Sequence, residues 1–344
     1  MTGTGSDHPP RPSVRSGHHD LPRRLERLAE ELHEQGLPAS AMDHRAMLLE
    51  EVDRALRPEV HERYVPSSGV ILVPTTEPER WSEATELVVS RNPLSGMPLS
   101  HARPFVDGLS SWLVRRNLSG QDEWLLFDRP AGSERDLVVL AQAMGAVIVQ
   151  RHPSGVVRIV GDFGVLRWDG LRWHHEPPVS RWLDALSSDA WSGGRSGSPE
   201  GSSGGRDVLE AILRLAVHDL GSRGIGALLV YRPEDRPVTG MEVQPPPPPP
   251  LRVRKPTHLG PLRHALAQVD GAAVFDAAGV LRMLGVRLVP TRQAEGELAP
   301  WRGTRHTSAL RYSYDDPSAT VVVVSESGPI SVVRAGAIVS LPEP

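Results

Sequence analysis

A run of glycine and serine from Ser192 to Gly205 most constrains the fold. Such a composition favours a flexible connector and cannot fill a core. Both flanks are rich in Val, Ile, Leu and Ala, so two units are expected, each burying its own apolar face. The sequence divides into a polar segment over 1–19 read as disordered, a first unit over 20–190, the connector over 191–206 and a second unit over 207–341.

In the first unit Leu21, Leu25, Leu28 and Leu32 recur at three- and four-residue spacing, which predicts a helix. A second helix is expected from Ala41 to Leu56, ending before Pro58. Strands are read at Val70–Val73 and Glu123–Phe127. Ser133 is placed to cap a helix running to Met144. Short strands follow at Ala146–Gln150, Gly155–Val160 and Gly164–Trp168. Trp168, Trp173, Trp182 and Trp191 are read as core side chains. Asp169-Gly170 is taken as a hairpin turn. His174, His175 and Glu176, just before Pro177-Pro178, are assigned to an exposed loop rather than to a metal site.

In the second unit an amphipathic helix is expected over Asp207–Leu220 and a second over Leu262–Val269. Strands are expected at Gly226–Tyr231, Ala272–Asp276, Val280–Val289, Ala319–Val324 and Ile330–Val333. Helices and strands in this order predict an α/β sandwich with a mixed sheet. Six prolines, Pro245 to Pro250, form an insertion expected to run as a polyproline II surface excursion, with docking to a partner as its functional alternative.

Composition prunes the activities. Charged residues make up 23% of the chain and the formal net charge is −4, so no basic excess points to nucleic acid. With no cysteine, disulfides and thiolate metal sites are excluded. Lys255, in Arg-Lys-Pro, is the only lysine. A Walker A loop and a kinase strand lysine are therefore both absent. No apolar run reaches the roughly 20 residues that span a bilayer, and no signal-peptide pattern opens the chain, so a cytoplasmic location is expected.

Three short segments carry candidate chemistry: Asp270-Gly271-Ala272 before a strand, Gly303-Thr304-Arg305-His306-Thr307-Ser308-Ala309, and Ser325-Glu326-Ser327-Gly328 after a strand. Each also has a purely structural reading, as a turn, as a helix start capped by Thr304, and as a hairpin. Together they are complementary. Asp270 and Glu326 offer hard oxygen ligands for Mg²⁺ or Mn²⁺. Arg305 offers forked bonds to phosphate oxygens. Thr304 and Thr307 add hydroxyls, and a helix start adds backbone amides. Phosphoryl transfer calls for such positioning and charge neutralisation.

These motifs, in this order, resemble the diadenylate cyclase family, over about residues 207–341. The family's Asp-Gly-Ala is matched by Asp270-Gly271-Ala272, its Gly-Thr-Arg-His by Gly303 to His306, and its Val-Ser-Glu by Val324-Ser325-Glu326, followed by Ile330-Ser331. Ile225 to Val230 is similar to the family's first core strand. The resemblance implies a mixed sheet flanked by helices, preceded here by a smaller mixed α/β domain serving as a sensor. It implies condensation of two ATP molecules into cyclic di-AMP with release of two pyrophosphates, by a homo-oligomer whose cyclase domains meet face to face. Asp270, Arg305 and His306 are then the catalytic candidates. Gly271, Ala272, Val286, Leu288, Thr304, Thr307 and Ser325 are the ATP-binding candidates, with Val286 to Leu288 by the adenine. Asp270 and Glu326 are the metal ligands. Neither nucleic acid nor membrane is implied as a partner. Thr307 and Ser327 stand where many relatives carry Arg and Glu. Those two departures motivate the alternative of a nucleotide-binding regulator that keeps the fold without turnover.

Overall fold

The computed structural model describes residues 21–38, 45–60, 62–73, 87–116, 121–187, 203–234, 240–242, 246–326 and 330–341. The expected disorder over 1–19, Trp191, most of the connector, Pro245, Ser327 and Gly328 lie outside them.

The chain builds two mixed sheets, each sandwiched between helices. The first contains β1 (Ser68–Val73), β2 (Val89–Pro93), β3 (Ser111–Arg116), β4 (Glu123–Phe127), β5 (Val147–Arg151), β6 (Val157–Gly161), β7 (Gly164–Trp168) and β8 (Trp173–Glu176). Their order is β2-β4-β3-β1-β5-β6-β7-β8. Only β1 and β3 run parallel; the other neighbours are antiparallel. Alternation along β1 splits the core into two layers. Val70 and Leu72 pack with helices α1 (Leu21–Glu34) and α2 (Arg45–Leu56). Ile71 and Val73 face helix α3 (Glu134–Met144). Ser133 caps α3 as expected: its hydroxyl accepts from the Asp136 amide, while the Asp136 carboxylate accepts from the Ser133 amide.

Two readings of this unit change. Residues 173–176 are strand β8 rather than a loop, and Glu176 is buried. The Asp169-Gly170 turn and its Trp168–Trp173 pair are present as read. Helix α4 (Val179–Ser187), which the sequence did not reveal, buries Val179, Trp182, Leu183 and Leu186 against the second sheet. The packing boundary therefore lies ahead of α4 rather than at the Gly/Ser run.

Helix α5 opens at Ser203, inside that run, and extends to Arg214. It continues as one π-helical stretch over Leu215–Leu220. The second sheet contains β9 (Ala227–Tyr231), β10 (Met241–Glu242), β11 (Ala272–Phe275), β12 (Leu281–Leu288), β13 (Thr320–Val324), β14 (Ser331–Arg334) and β15 (Ala337–Ile338). Its order is β10-β12-β11-β9-β13-β14-β15, with β9 and β11 parallel. Helix α6 begins at Pro256 rather than near Leu262 and runs to Leu266. Helices α7 (Arg292–Glu297) and α8 (Thr304–Asp315) follow. Leu229, Phe275, Val322 and Val324 bury against α4, α5 and α6. Leu228, Val230, Val321 and Val323 bury against α8. Among the described residues no helix is long and apolar enough to cross a membrane.

Buried polar contacts join the two units. The Glu134 carboxylate accepts Arg167 Nε and Nη2, each at 2.6 Å, and pairs with His218 Nδ1 at 2.9 Å. Arg135 pairs with Asp219. Glu176 Oε1 accepts the Ile330 amide at 3.0 Å, while its Oε2 has no hydrogen-bond partner. The π-helical stretch supplies His218 and Asp219, which places an uncommon backbone form at the domain contact.

Glu176 makes this contact sensitive to pH. Burial pushes its carboxyl up to about 7 from an ordinary 4.5, assisted by Glu134 and opposed by Arg167 and the Ile330 amide. The folded chain then holds a proton that the unfolded chain has released. Stability contributed by this group is present below about pH 4.5 and lost as pH rises to about 7, by up to roughly 3 kcal/mol. Glu176→Gln keeps the carbonyl that accepts from Ile330 and is expected to remove that decline. Urea unfolding of both chains across this range checks it; parallel curves would show that Glu176 does not titrate there.

Candidate functional site

The three segments converge at one end of the second sheet. Asp270 and Gly271 lead into β11, Glu326 follows β13, and Arg305 lies in the first turn of α8. Antiparallel pairing of β13 with β9 brings the end of β13 beside the start of β9, with Val324 opposite Ala227. Parallel pairing of β11 with β9 adds the start of β11 at the same end. Sheet register thus gathers residues more than 50 positions apart in sequence.

Arg305 sits between the two acids. Its Nη1 donates to Glu326 Oε1 at 3.0 Å, and its Nη2 lies 3.8 Å from Asp270 Oδ1. The Asp270 carboxylate is 97% exposed and that of Glu326 67%. Both border a cavity of about 370 Å³ lined by Gly224–Ala227, Leu266–Gly271, Arg305 and Glu326. Two carboxylates and one guanidinium leave this mouth one negative charge.

Glycines make the approach possible. Gly271 has φ +100°, and a Cβ there would lie 2.7 Å from the Gly285 carbonyl carbon and 2.9 Å from Val286 O. Gly285 itself has φ +73°. The Asp-Gly turn therefore rests on an irregular stretch of β12, where its register with β11 shifts. At Gly226 a Cβ would collide with Arg305 Nη1 and lie 2.8 Å from Glu326 Cγ. Gly226 is thus a site residue that was read only as the start of a strand. A glycine opening an otherwise apolar strand was the available signal.

The remaining candidates flank the cavity without lining it. Gly303, not Thr304, is the N-cap of α8, and no side chain caps that end; Thr304 is the first helical residue. The first amides of α8 are consequently available to an anion. Thr307 departs from its expected phosphate contact: its hydroxyl accepts from the Trp301 amide and donates to the Trp301 carbonyl, both at 3.1 Å. His306 meets the Trp301 ring edge-on at 5.0 Å between centroids, and its buried Nε2 has no hydrogen-bond partner. Burial, then Arg302 and Arg305, hold the imidazole below its usual range, so it is neutral at physiological pH. Ala272, Val286 and Leu288 bury their side chains in the core layer under α8. Leu288 also pairs with Met241 of β10. Ser325 is half-buried, directly before Glu326.

No cluster of three or more His, Asp or Glu stands ready for a metal among the described residues. The donors present are the exposed carboxylates of Asp270 and Glu326. That set fits a Mg²⁺-type ion, which commonly takes one or two carboxylates and completes its shell with water and substrate phosphates.

Comparison with known proteins finds two family matches. Residues 214–338 match the DAC family, described as "DisA bacterial checkpoint controller nucleotide-binding". Residues 26–176 match a family described as "Probable sensor domain DACNK". No curated protein matches the chain. Among solved structures, a hypothetical membrane spanning protein from Bacillus cereus aligns at 19% identity over 40% of this chain and 72% of its own, with TM-score 0.31. A double mutant of DacA from Staphylococcus aureus aligns at 20% identity over 41% of this chain and 91% of its own, with TM-score 0.30. By its family matches, the chain joins a DACNK domain to a nucleotide-binding domain of the DAC family, and the cavity between Asp270, Arg305 and Glu326 lies in the latter.

Proposed function

We propose that the protein is a diadenylate cyclase, joining two ATP molecules into cyclic di-AMP. The observation that carries this reading is the placement of Arg305 between the carboxylates of Asp270 and Glu326, beside the uncapped start of α8. Each protomer holds one ATP, and two protomers meet face to face. The 3′-oxygen of one ATP bonds to the α-phosphorus of the other, the bond from that phosphorus to the bridging oxygen breaks, and pyrophosphate leaves. The reciprocal attack closes the ring, and each 3′-hydroxyl gives up its proton.

Arg305 binds the triphosphate by exchanging part of its contact with Glu326 for phosphate oxygens, to which a guanidinium makes strong forked bonds. The amides of Thr304 and Arg305 orient the same group. Asp270 lies beside the attacking hydroxyl and accepts its proton, directly or through water. Neutral His306 braces the α8 turn against Trp301 rather than carrying charge. A divalent ion held by Asp270 and Glu326 would neutralise phosphate charge.

The test is chromatography of the nucleotides formed from ATP with Mn²⁺ or Mg²⁺: cyclic di-AMP and pyrophosphate are expected, and unchanged ATP would defeat the reading. A second reading, nucleotide binding without turnover, is favoured by one observation. The Thr307 hydroxyl is already committed to Trp301, so position 307 adds nothing to the phosphate grip. Calorimetric binding of ATP without product would decide for it.

Gly226→Ala tests the arrangement without touching a charge. The added methyl displaces Arg305 from Glu326. An ångström of misplacement can cost about 100-fold in rate, so a drop of that order in kcat/KM is expected, with little change in thermal unfolding. Kinetics equal to the parent chain would show that the Arg305–Glu326 contact is dispensable.

A further inference from the structure

We propose that a second cavity, between the two domains, is a binding site for a small phosphate monoester. This cavity, of about 420 Å³, is distinct from the one beside Asp270. Its volume falls within the usual range for small-molecule sites and exceeds what a bare phosphate needs. The DACNK domain contributes Arg158, Arg167 and His152; the DAC domain contributes Arg223 on the turn that leads into β9.

The charge inventory of the walls points to an anion. Three carboxylates line the cavity, and each is already engaged. Glu134 takes two bonds from Arg167 and one from His218. Asp169 accepts the Leu171 and Arg172 amides and pairs with His174. Glu326 accepts from Arg305. The guanidiniums are not matched one for one. Arg158 and Arg167 share the single Glu134 carboxylate, and Arg158 Nε lies 3.4 Å from it without a hydrogen bond. Arg223 makes no hydrogen bond or salt bridge among the described residues; the carboxylate that acts on it, Asp219, is already paired with Arg135 and lies 3.9 Å from Arg263.

Arg158 is almost wholly buried, so its unmet donor is costly to leave dry. Burial first, and then the Arg158 and Arg223 charges, hold the His152 imidazole below its usual range. Small anions with several acceptor oxygens answer both the surplus charge and the unmet donors, and phosphate does so with forked geometry. The spare volume accommodates the polar body of a sugar phosphate.

The location gives the site a consequence. Gly224 and Glu326 line both cavities. A ligand bridging Arg158 to Arg223 ties the DACNK domain to the turn just ahead of Gly226, one wall away from the Arg305–Glu326 contact. Coupling of this kind is reciprocal, so nucleotide and phosphate monoester change each other's affinity by one common factor.

Calorimetry on the full chain, with ribose 5-phosphate and inorganic phosphate as probes, tests the proposal without relying on turnover. Ribose 5-phosphate is expected to bind one per chain, more tightly than phosphate, and to do so even with a non-hydrolysable ATP analogue present at saturation. Arg223→Gln is expected to weaken binding at least tenfold, about 1.4 kcal/mol, while Asp270→Asn, which alters only the other cavity and keeps Glu326 paired, leaves it unchanged. His152→Glu brings a negative charge to the cavity from the other domain and is expected to weaken binding as well, so a folding failure of either variant leaves the other to decide. No binding up to about 10 mM, a Kd weaker than any useful site, overturns the proposal. So does binding that both variants retain, or that the ATP analogue or Asp270→Asn abolishes, because the probe then sits elsewhere.

Discussion

Asp270→Asn is expected to abolish cyclic di-AMP formation while leaving the fold intact. The two halves of that expectation come from different features of one side chain. Asp270 is almost fully exposed, and its ion pair with Arg305 is long, at 3.8 Å. Exposed pairs of this kind contribute about 0–1 kcal/mol, so the unfolding midpoint should move by no more than a few degrees. Asn keeps the size and one acceptor oxygen but loses the charge. A neutral amide neither takes a proton from a hydroxyl nor holds a divalent ion as a carboxylate does. Loss of a positioned base alone costs about 10²–10⁴-fold, which carries turnover below ordinary chromatographic detection. Incubation with ATP and Mn²⁺, paired with a thermal melt and a binding titration with an ATP analogue, reads all three quantities. Turnover at the parent rate would remove Asp270 from the chemistry. Lost turnover with a collapsed melt would place it in the fold instead. Arg305→Gln should behave differently, weakening nucleotide binding as well as rate, because it removes the forked phosphate donor.

Local structure was legible, and so, through the family resemblance, was the grouping of Asp270, Arg305 and Glu326; the geometry that brings them together was not. Ser133 announced the start of α3, and a strand of five consecutive apolar residues announced β9, because caps and apolar runs act within a few residues. Helix α6 was misjudged at its start because Pro256, Gly260 and Pro261 all argue against a helix interior. In the structure Pro256 occupies the first turn, where a missing amide is harmless, and the apolar face of α6 closes the core. Gly303 rather than Thr304 caps α8 for a similar reason. Trp301 packs against His306 and fixes Thr307, so the entry of the chain is set by side chains a turn apart rather than by a hydroxyl cap. Arg305 reached its two acids through sheet register, and β9, β11 and β13 are buried on both faces, so no alternation along them announces that register. The domain contact left no trace in the sequence. Glu134, Arg167 and His218 are spread over 84 residues, and none belongs to a local pattern.

That contact is where the largest loss of stability is expected. Glu134 is fully buried and receives two bonds from Arg167 and one from His218, with Arg158 close by. Burial alone would favour the neutral acid, but the Arg167 charge and hydrogen bonds, with His218, outweigh it and hold the carboxyl far below its ordinary 4.5. Stability from this group is therefore present above about pH 4.5 and lost as pH falls below it, opposite in sign to Glu176. Glu134→Gln removes the anion and leaves the buried Arg158 and Arg167 guanidiniums without their shared carboxylate, with an amide N–H₂ turned toward one of them. Breaking a buried pair from one side costs about 3–5 kcal/mol, or roughly 10 °C in a chain of this size. Removing both partners should cost less than the sum. The double variant Glu134→Gln with Arg167→Gln is expected to recover one or more kcal/mol relative to additivity, the usual size of coupling between directly bonded groups. Urea unfolding at pH 7 of the parent, both single variants and the double variant measures this. Strict additivity would mean that Glu134 and Arg167 contribute separately, and that their bond is a by-product of domain packing rather than one of its causes.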